Sequence, residues 1–214
     1  MRPRERLAAR GAQALSDDEV LAILIGHGTA QRSALVLANS ALRAIGGLRA
    51  LGQADVTRLR DAGLGAATAV RVAAACEIGR RVVLAASEGE RCDTPELAAV
   101  ALAPHFAHLE RECLAVALLS RKQRLVAFTP IYVGSVSGTP VRIAELFTDA
   151  IRRHAPSVLL AHNHPSGDPT PSADDIRTTR EAAGAGRLLG IEVVDHLVFG
   201  AARWVSLRRI GAFR

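Results

Sequence analysis

Apolar and polar positions recur with two different periods along this chain of 214 residues. Up to about residue 86 the apolar residues return every three or four positions, the spacing that lines one face of a helix. In "ALSDDEVLAILIGHG", Ser16 is an N-cap, Glu19 completes a capping box, and Gly26 can close the helix. Val20, Leu21, Leu24 and Ile25 form its expected apolar face. A second helix is expected over about 33–44, ended by Gly46 and Gly47, and a short one over about 54–60. "LRDAGLGAATAVRVAAACEIGRRVVLAA" then predicts a glycine hairpin followed by a long Ala/Val-rich helix to about Ala86.

The polar stretch "SEGERCDTP" (87–95) reads as a linker, and beyond it the period changes. Thr94 and Pro95 start a helix as N-cap and first helical residue. "CLAVALLS" and "RLVAFTPIYVG" are apolar runs joined by "RKQ", a hairpin pattern. "VRIAELFTDAIRRHA" and "SADDIRTTREAAGAGRLLG" are helical, "SVLLAHNH" is a short buried strand, and "IEVVDHLVFG" and "RWVSLRRIG" read as closing strands. The chain is therefore expected to be α/β. A helical first domain (1–86) and a linker (87–95) lead to a mixed sheet flanked by helices (96–214).

Composition narrows the function classes. Hydrophobic residues make up 49%, enough for packed cores, while aromatics are only 3%. No apolar run reaches the roughly 18–20 residues needed to cross a bilayer. The start of the chain lacks a signal-peptide apolar region, so no membrane partner and a cytoplasmic location are expected. Cys76, Cys92 and Cys113 fit neither a disulfide framework nor a CxxC metal knuckle. The net charge of +6 is uneven: 1–86 carry 12 Arg and 7 acids, against 15 basic and 14 acidic residues in 87–214. Arginine supplies nearly all of it, which suits phosphate contacts as well as a solvated face.

The chemistry concentrates in "LLAHNHPSGDPTPSADD" (159–175). Residues i and i+2 of a strand share a face, so His162 and His164 point the same way. Two imidazoles so placed suit one tetrahedral zinc ion. The stiff loop "PSGDPTP" then delivers a helix start carrying Asp175, a candidate third ligand. Two histidines and a carboxylate leave the fourth position to water, whose pKa zinc lowers from about 15.7 to about 7. Asp168 and Asp174 compete with Asp175, and Asp175 could instead close a capping box with Ser172. A metal-activated water also needs a proton acceptor, for which Glu110, Glu112 and Glu145 are candidates.

His162-Asn163-His164-Pro165, six residues, then Ser172-Ala173-Asp174-Asp175 resembles the JAMM motif of JAB1/MPN-type metalloproteases, HxHPxxxxxxSxxD after a distal Glu. With "RPRERLAARGAQALSDDEVLAILIGHGT" near its start and "AHNHPSGDPTPS", almost the whole chain resembles the bacterial RadC family. The resemblance implies a JAB1/MPN-like second domain with His162, His164 and Asp175 as zinc ligands. It further implies Glu112, just before "CLAVALLS", as general base and then acid, and Ser172 as oxyanion stabiliser. "VGSVSGTP" (133–140) resembles the segment beside the site. Where RadC relatives often read "VHPRE" this chain reads "VRIAE", so Arg142 replaces a histidine. The implied reaction is zinc-dependent hydrolysis of a peptide or isopeptide bond in a protein or peptide substrate.

"LRDAGLGAATAV" resembles a helix-hairpin-helix turn built on Gly63, Leu64 and Gly65, whose following helix start exposes N–H groups able to hold a phosphate. With the basic excess of 1–86, this makes non-specific DNA binding an expectation for the first domain. The competing function is a DNA-binding repair or recombination accessory protein whose metal domain is not a protease. A base deaminase needs H-x-E together with P-C-x-x-C, and that combined pattern is absent.

Overall fold

The structure, a computed structural model, describes residues 1–87, 89–107, 109–134, 141–201 and 203–213. The chain divides into two compact units, Met1–Val82 and Val83–Arg214. Among the described residues, no helix is long and apolar enough to cross a membrane.

The first unit is helical: α1 (Pro3–Arg10), α2 (Asp17–Ile25), α3 (Ala34–Ile45), α4 (Leu48–Gln53), α5 (Val56–Asp61) and α6 (Ala66–Ser87), whose last residues belong to the second unit. Its helix ends follow local chemistry. The Ser16/Glu19 capping box opens α2, and Gly26, at φ +82°, ends it. Ser33 and Asp55 accept the amides of Val36 and Arg58 at the starts of α3 and α5. Leu21, Ile25, Ala38, Ala41, Ile45, Leu59, Leu64 and Val72 form its core. The α2 face differs from its sequence pattern: Val20 is 41% exposed and Ala22 lies inside. α1 and α4 gave no periodic signal, because α1 buries no residue and α4 is a six-residue helix that buries only Leu51.

The second unit is a five-stranded mixed sheet in the order β2-β1-β3-β4-β5. Its elements are α7 (Pro95–Phe106), β1 (Cys113–Leu119), β2 (Leu125–Val133), α8 (Ile143–Arg152), β3 (Ser157–Asn163), α9 (Ala173–Leu189), β4 (Glu192–Phe199) and β5 (Trp204–Ser206). β3 and β4 are parallel, joined by the α9 crossover, and every other pair is antiparallel. Leu146, Phe147 and Ala150 of α8 and Ala182 and Ala183 of α9 pack on Leu114, Val116, Leu118, Val158 and Leu160. Ala98, Leu102 and Phe106 of α7 cover the other face, against Ala115, Ala117, Leu119, Leu159, Ala161 and Leu197. β1 and β3 are buried on both faces and so read as continuous apolar runs rather than as alternation.

Two connections depart from simple expectation. Part of the polar stretch between α6 and α7 runs beside the start of β2: Gly89 N–H donates to Leu125 O, Leu125 N–H to Glu90 O, and Cys92 N–H to Gln123 O. Burial, with the charges of Asp93 and Glu90, pushes the Cys92 thiol up to about 11. The last strand stops at Ser206, although the apolar pattern continues. The buried Asp195 carboxylate accepts the Ser206 hydroxyl and the Arg208 amide, and this turns the chain out of the sheet.

Candidate metal centre

β3 ends at Asn163, but His164 N–H donates to Phe199 O at 2.8 Å and carries the ladder one residue further. Strand phase therefore persists through His164, and both imidazoles project to the α9 side. Their Nε2 atoms are 2.9 Å apart. His162 is buried (2% exposed), and His164 is half-buried. The loop beyond them is fastened at both ends. Gly167, at φ +86°, donates to His164 O and accepts from Ala201 N–H. The Asp168 carboxylate takes the amide and hydroxyl of Thr170. Gly200 must be glycine here, since a Cβ would stand 2.3 Å from Gly167 O.

The loop ends at Ser172, which caps α9. Ser172 Oγ accepts the Asp175 amide at 3.1 Å, while Asp175 Oδ2 accepts the Ser172 amide and hydroxyl, each at 2.7 Å. The capping box is thus present, and it also aims the carboxylate. Asp175 Oδ1 lies 3.3 Å from His162 Nε2, and Oδ2 lies 3.6 Å from His164 Nε2. Burial alone would raise the Asp175 carboxyl, but His162 and the hydroxyl and amide of Ser172 outweigh it and hold the group well below the usual carboxylate range. The competing aspartates face elsewhere. Asp174, one residue earlier and about 100° round the helix, pairs with Arg177 at 2.6 Å in solvent. Asp168 offers the histidines only its backbone carbonyl, 2.8 Å from His164 Nδ1.

Glu112 reaches the same place from β1. A Glu112 carboxylate oxygen and ring nitrogens of His162 and His164 all lie within 4.8 Å of one another. Asn163, between the histidines, holds that glutamate's backbone. Its Oδ1 accepts Cys113 N–H at 2.9 Å, and its Nδ2 donates to Arg111 O at 3.1 Å. Of the other acids, Glu145 accepts the Tyr132 hydroxyl at 2.6 Å and pairs with Arg142, and Glu110 is exposed. Arg142 is itself an exposed N-cap of α8. Of the stretch 133–140, residues 135–140 lie outside the described residues; Gly134 N–H donates to Glu112 O at 2.9 Å.

The donor set fits a divalent cation of zinc type. It offers two imidazole nitrogens and carboxylate oxygens at one strand end, whereas calcium and magnesium favour oxygen ligands alone. His162, His164 and a carboxylate would hold it.

Two residues that sequence reasoning passed over stand behind His162. His162 Nδ1 meets His196 Nε2 at 2.8 Å, and His196 Nδ1 meets Thr179 Oγ1 at 2.6 Å. Thr179 Oγ1 donates to Asp175 O at 2.6 Å. Burial, then the charge of His162, drives the His196 imidazole far below its ordinary value. The available signals were a histidine inside the apolar run "VVDHLVF" and a threonine four residues after Asp175, on the same helix face.

In the first unit the predicted glycine hairpin lies between α5 and α6. Gly63 has φ +92°, Leu64 is 5% exposed, and a Cβ on Gly63 or Gly65 would meet nothing within 4 Å.

The family model described as a RadC-like JAB domain matches residues 92–212, and the UPF0758 N-terminal model matches 1–70. A UPF0758 protein of Chloroflexus aurantiacus is 47% identical over 212 residues, covering 98% of this chain and 92% of its own. Those of Desulforudis audaxviator and Moorella thermoacetica are each 42% identical, covering 100% and 97% of this chain and 94% and 91% of theirs. Matches of this extent across both units mean that the chain belongs to the RadC family, whose relatives here carry the name UPF0758, and that a JAB domain bears the histidine pair.

Proposed function

We propose that this protein is a zinc-dependent hydrolase of peptide or isopeptide bonds. One observation carries the reading: the two Nε2 atoms, 2.9 Å apart, stand against separate oxygens of Asp175 and beside the Glu112 carboxylate. In it His162, His164 and Asp175 hold the metal. A bound zinc ion supplies Lewis acidity and lowers the pKa of a water to about 7. Glu112, fixed by Asn163 on both sides, accepts the proton of the attacking water and returns it to the departing amine, so that water adds across the C–N bond. Ser172 swings its hydroxyl from Asp175 to the oxyanion developing on the carbonyl.

The test is hydrolysis of a panel of peptide and isopeptide-linked substrates by zinc-loaded wild type and Glu112→Gln, with metal content measured on both. The variant keeps its zinc and loses about 10²–10⁴-fold in rate. Loss of zinc in the variant would make Glu112 a ligand. A fully loaded wild type that cleaves nothing in the panel would contradict the hydrolase reading.

The hairpin of the first unit favours a second reading beside the first: non-specific binding of DNA. The turn at Gly63 buries Leu64 and leaves the start of α6 exposed, on a segment whose 12 arginines outnumber its 7 acids. A DNA titration at several salt concentrations tests it. A binding constant that falls steeply with salt supports it, and no binding at low salt refutes it.

A further inference from the structure

We propose that Thr179 and His196 are positioning residues that lock His162 in the tautomer with its proton on Nδ1, so that the Nε2 lone pair faces the metal position. The contacts from Asp175 to His162 form one chain of hydrogen bonds in which each proton fixes the next. It begins at the Asp175 carbonyl, which can only accept. Thr179 Oγ1, 2.6 Å away, must therefore spend its single proton there, since two bare oxygens at that distance would repel. With that proton spent, Thr179 Oγ1 can only accept from His196, so His196 Nδ1 carries a hydrogen. His196 is 1% exposed and its ring nitrogens meet only a hydroxyl and an imidazole, with no anion to compensate a buried imidazolium, so its Nε2 is a bare lone pair and can only accept. The remaining contact, at 2.8 Å, must be a hydrogen bond donated by His162 Nδ1. His162 Nε2 is the ring nitrogen left for the centre, where it faces His164 Nε2 and Asp175, and any proton shared among them leaves when a metal takes its place.

The same rule applies independently to His164. Its Nδ1 faces the Asp168 carbonyl at 2.8 Å, so it too donates from Nδ1 and turns Nε2 toward the centre. Two carbonyls, on Asp168 and Asp175, thus set the direction of both rings before any metal arrives. The longer path through Thr179 and His196 also couples the two ends of the site. Asp175 gives its carboxylate to the centre and its carbonyl to the chain that orients His162. Outer hydrogen-bond partners of this kind fix ring orientation and ligand basicity.

The inference rests on the metal reading for its zinc readout alone; the proton on His162 Nδ1 is a property of the metal-free protein. The experiment uses the full chain with ¹⁵N-labelled histidine. Wild type, Thr179→Val and Thr179→Ser are compared by long-range ¹H–¹⁵N correlation without metal, and their zinc affinity is then measured by chelator competition. Wild type and Thr179→Ser should carry a proton on His162 Nδ1. In Thr179→Val the hydroxyl is gone, His196 turns its proton to Nε2, and His162 Nδ1 becomes an acceptor. Zinc affinity should then fall about 10- to 100-fold in Thr179→Val and recover in Thr179→Ser. Thr179→Ala removes the same hydroxyl and serves if circular dichroism shows Thr179→Val unfolded. A bare His162 Nδ1 in wild type, or the same tautomer and zinc affinity with and without the hydroxyl, would overturn the inference. A wild type that binds no zinc but shows the expected tautomers would contradict the metal reading and support the lock.

Discussion

In Met1–Val82 the buried side chains among the described residues are apolar throughout, whereas in Val83–Arg214 His162, Asn163, Thr179, Asp195 and His196 are buried within or against the sheet. The first unit keeps its charges at its surface, as in the pairs of Glu77 with Arg80 and Arg81. The second places imidazoles and carboxylates where apolar residues would be at least as stable. A buried polar group left without a partner costs about 1–3 kcal/mol, while a satisfied one contributes only about 1 kcal/mol net. Stability alone therefore does not account for the second pattern. Each of these groups is hydrogen-bonded, and three of the five surround the histidine pair to which His162 belongs: Asn163 holds the backbone around Glu112, and Thr179 and His196 stand behind His162. Asp195 has a different task, turning the chain after β5. The contrast assigns local chemistry to the second unit. It leaves the first unit with surface charge, on which the proposed DNA reading rests.

Substitutions can break that contrast. The largest effect is expected at Asp175→Ala, which removes both a proposed ligand and half of a helix cap. Zinc affinity should fall by at least about 100-fold, and stability by about 1 kcal/mol, read by chelator competition and thermal unfolding. Leu59→Ala, at a fully buried position of the first unit, should cost about 2–5 kcal/mol and leave zinc affinity unchanged. A drop in zinc affinity there would tie the two units together. Gly63→Val forces a β-branched residue to φ +92°, at a cost of about 1–3 kcal/mol, and should weaken DNA binding without altering metal content. Salt-sensitive DNA binding unchanged in this variant would remove the hairpin from the second reading. The smallest effect belongs to Asp174→Ala. Its exposed pair with Arg177 contributes under about 0.5 kcal/mol, and zinc affinity should stay at the wild-type value. That result, set against Asp175→Ala, measures what one position round a helix decides.

How much of this was legible beforehand depends on distance along the chain. The histidine spacing, the stiff loop and the Ser172 cap are local, and each is fixed by a period or a cap rule that acts over a few residues. The choice among Asp168, Asp174 and Asp175 was not settled by spacing alone. It becomes visible only when the helix start is set against the strand end. His196 lies 34 residues from His162 and meets it through the parallel pairing of β3 and β4, which no sequence period encodes. The strap from Asn163 to the backbone beside Glu112 likewise spans 50 residues. α1 was missed because it buries nothing, and α4 because six residues hold too few turns for a period to emerge.

The most direct test of the metal centre is elemental analysis of protein purified without chelator, on wild type and on the His162→Ala/His164→Ala variant, each confirmed folded. About one zinc per chain in wild type, lost in the variant, is the expected result. A wild type that holds no zinc and takes up none when it is added, or a variant that holds as much as wild type, would contradict it.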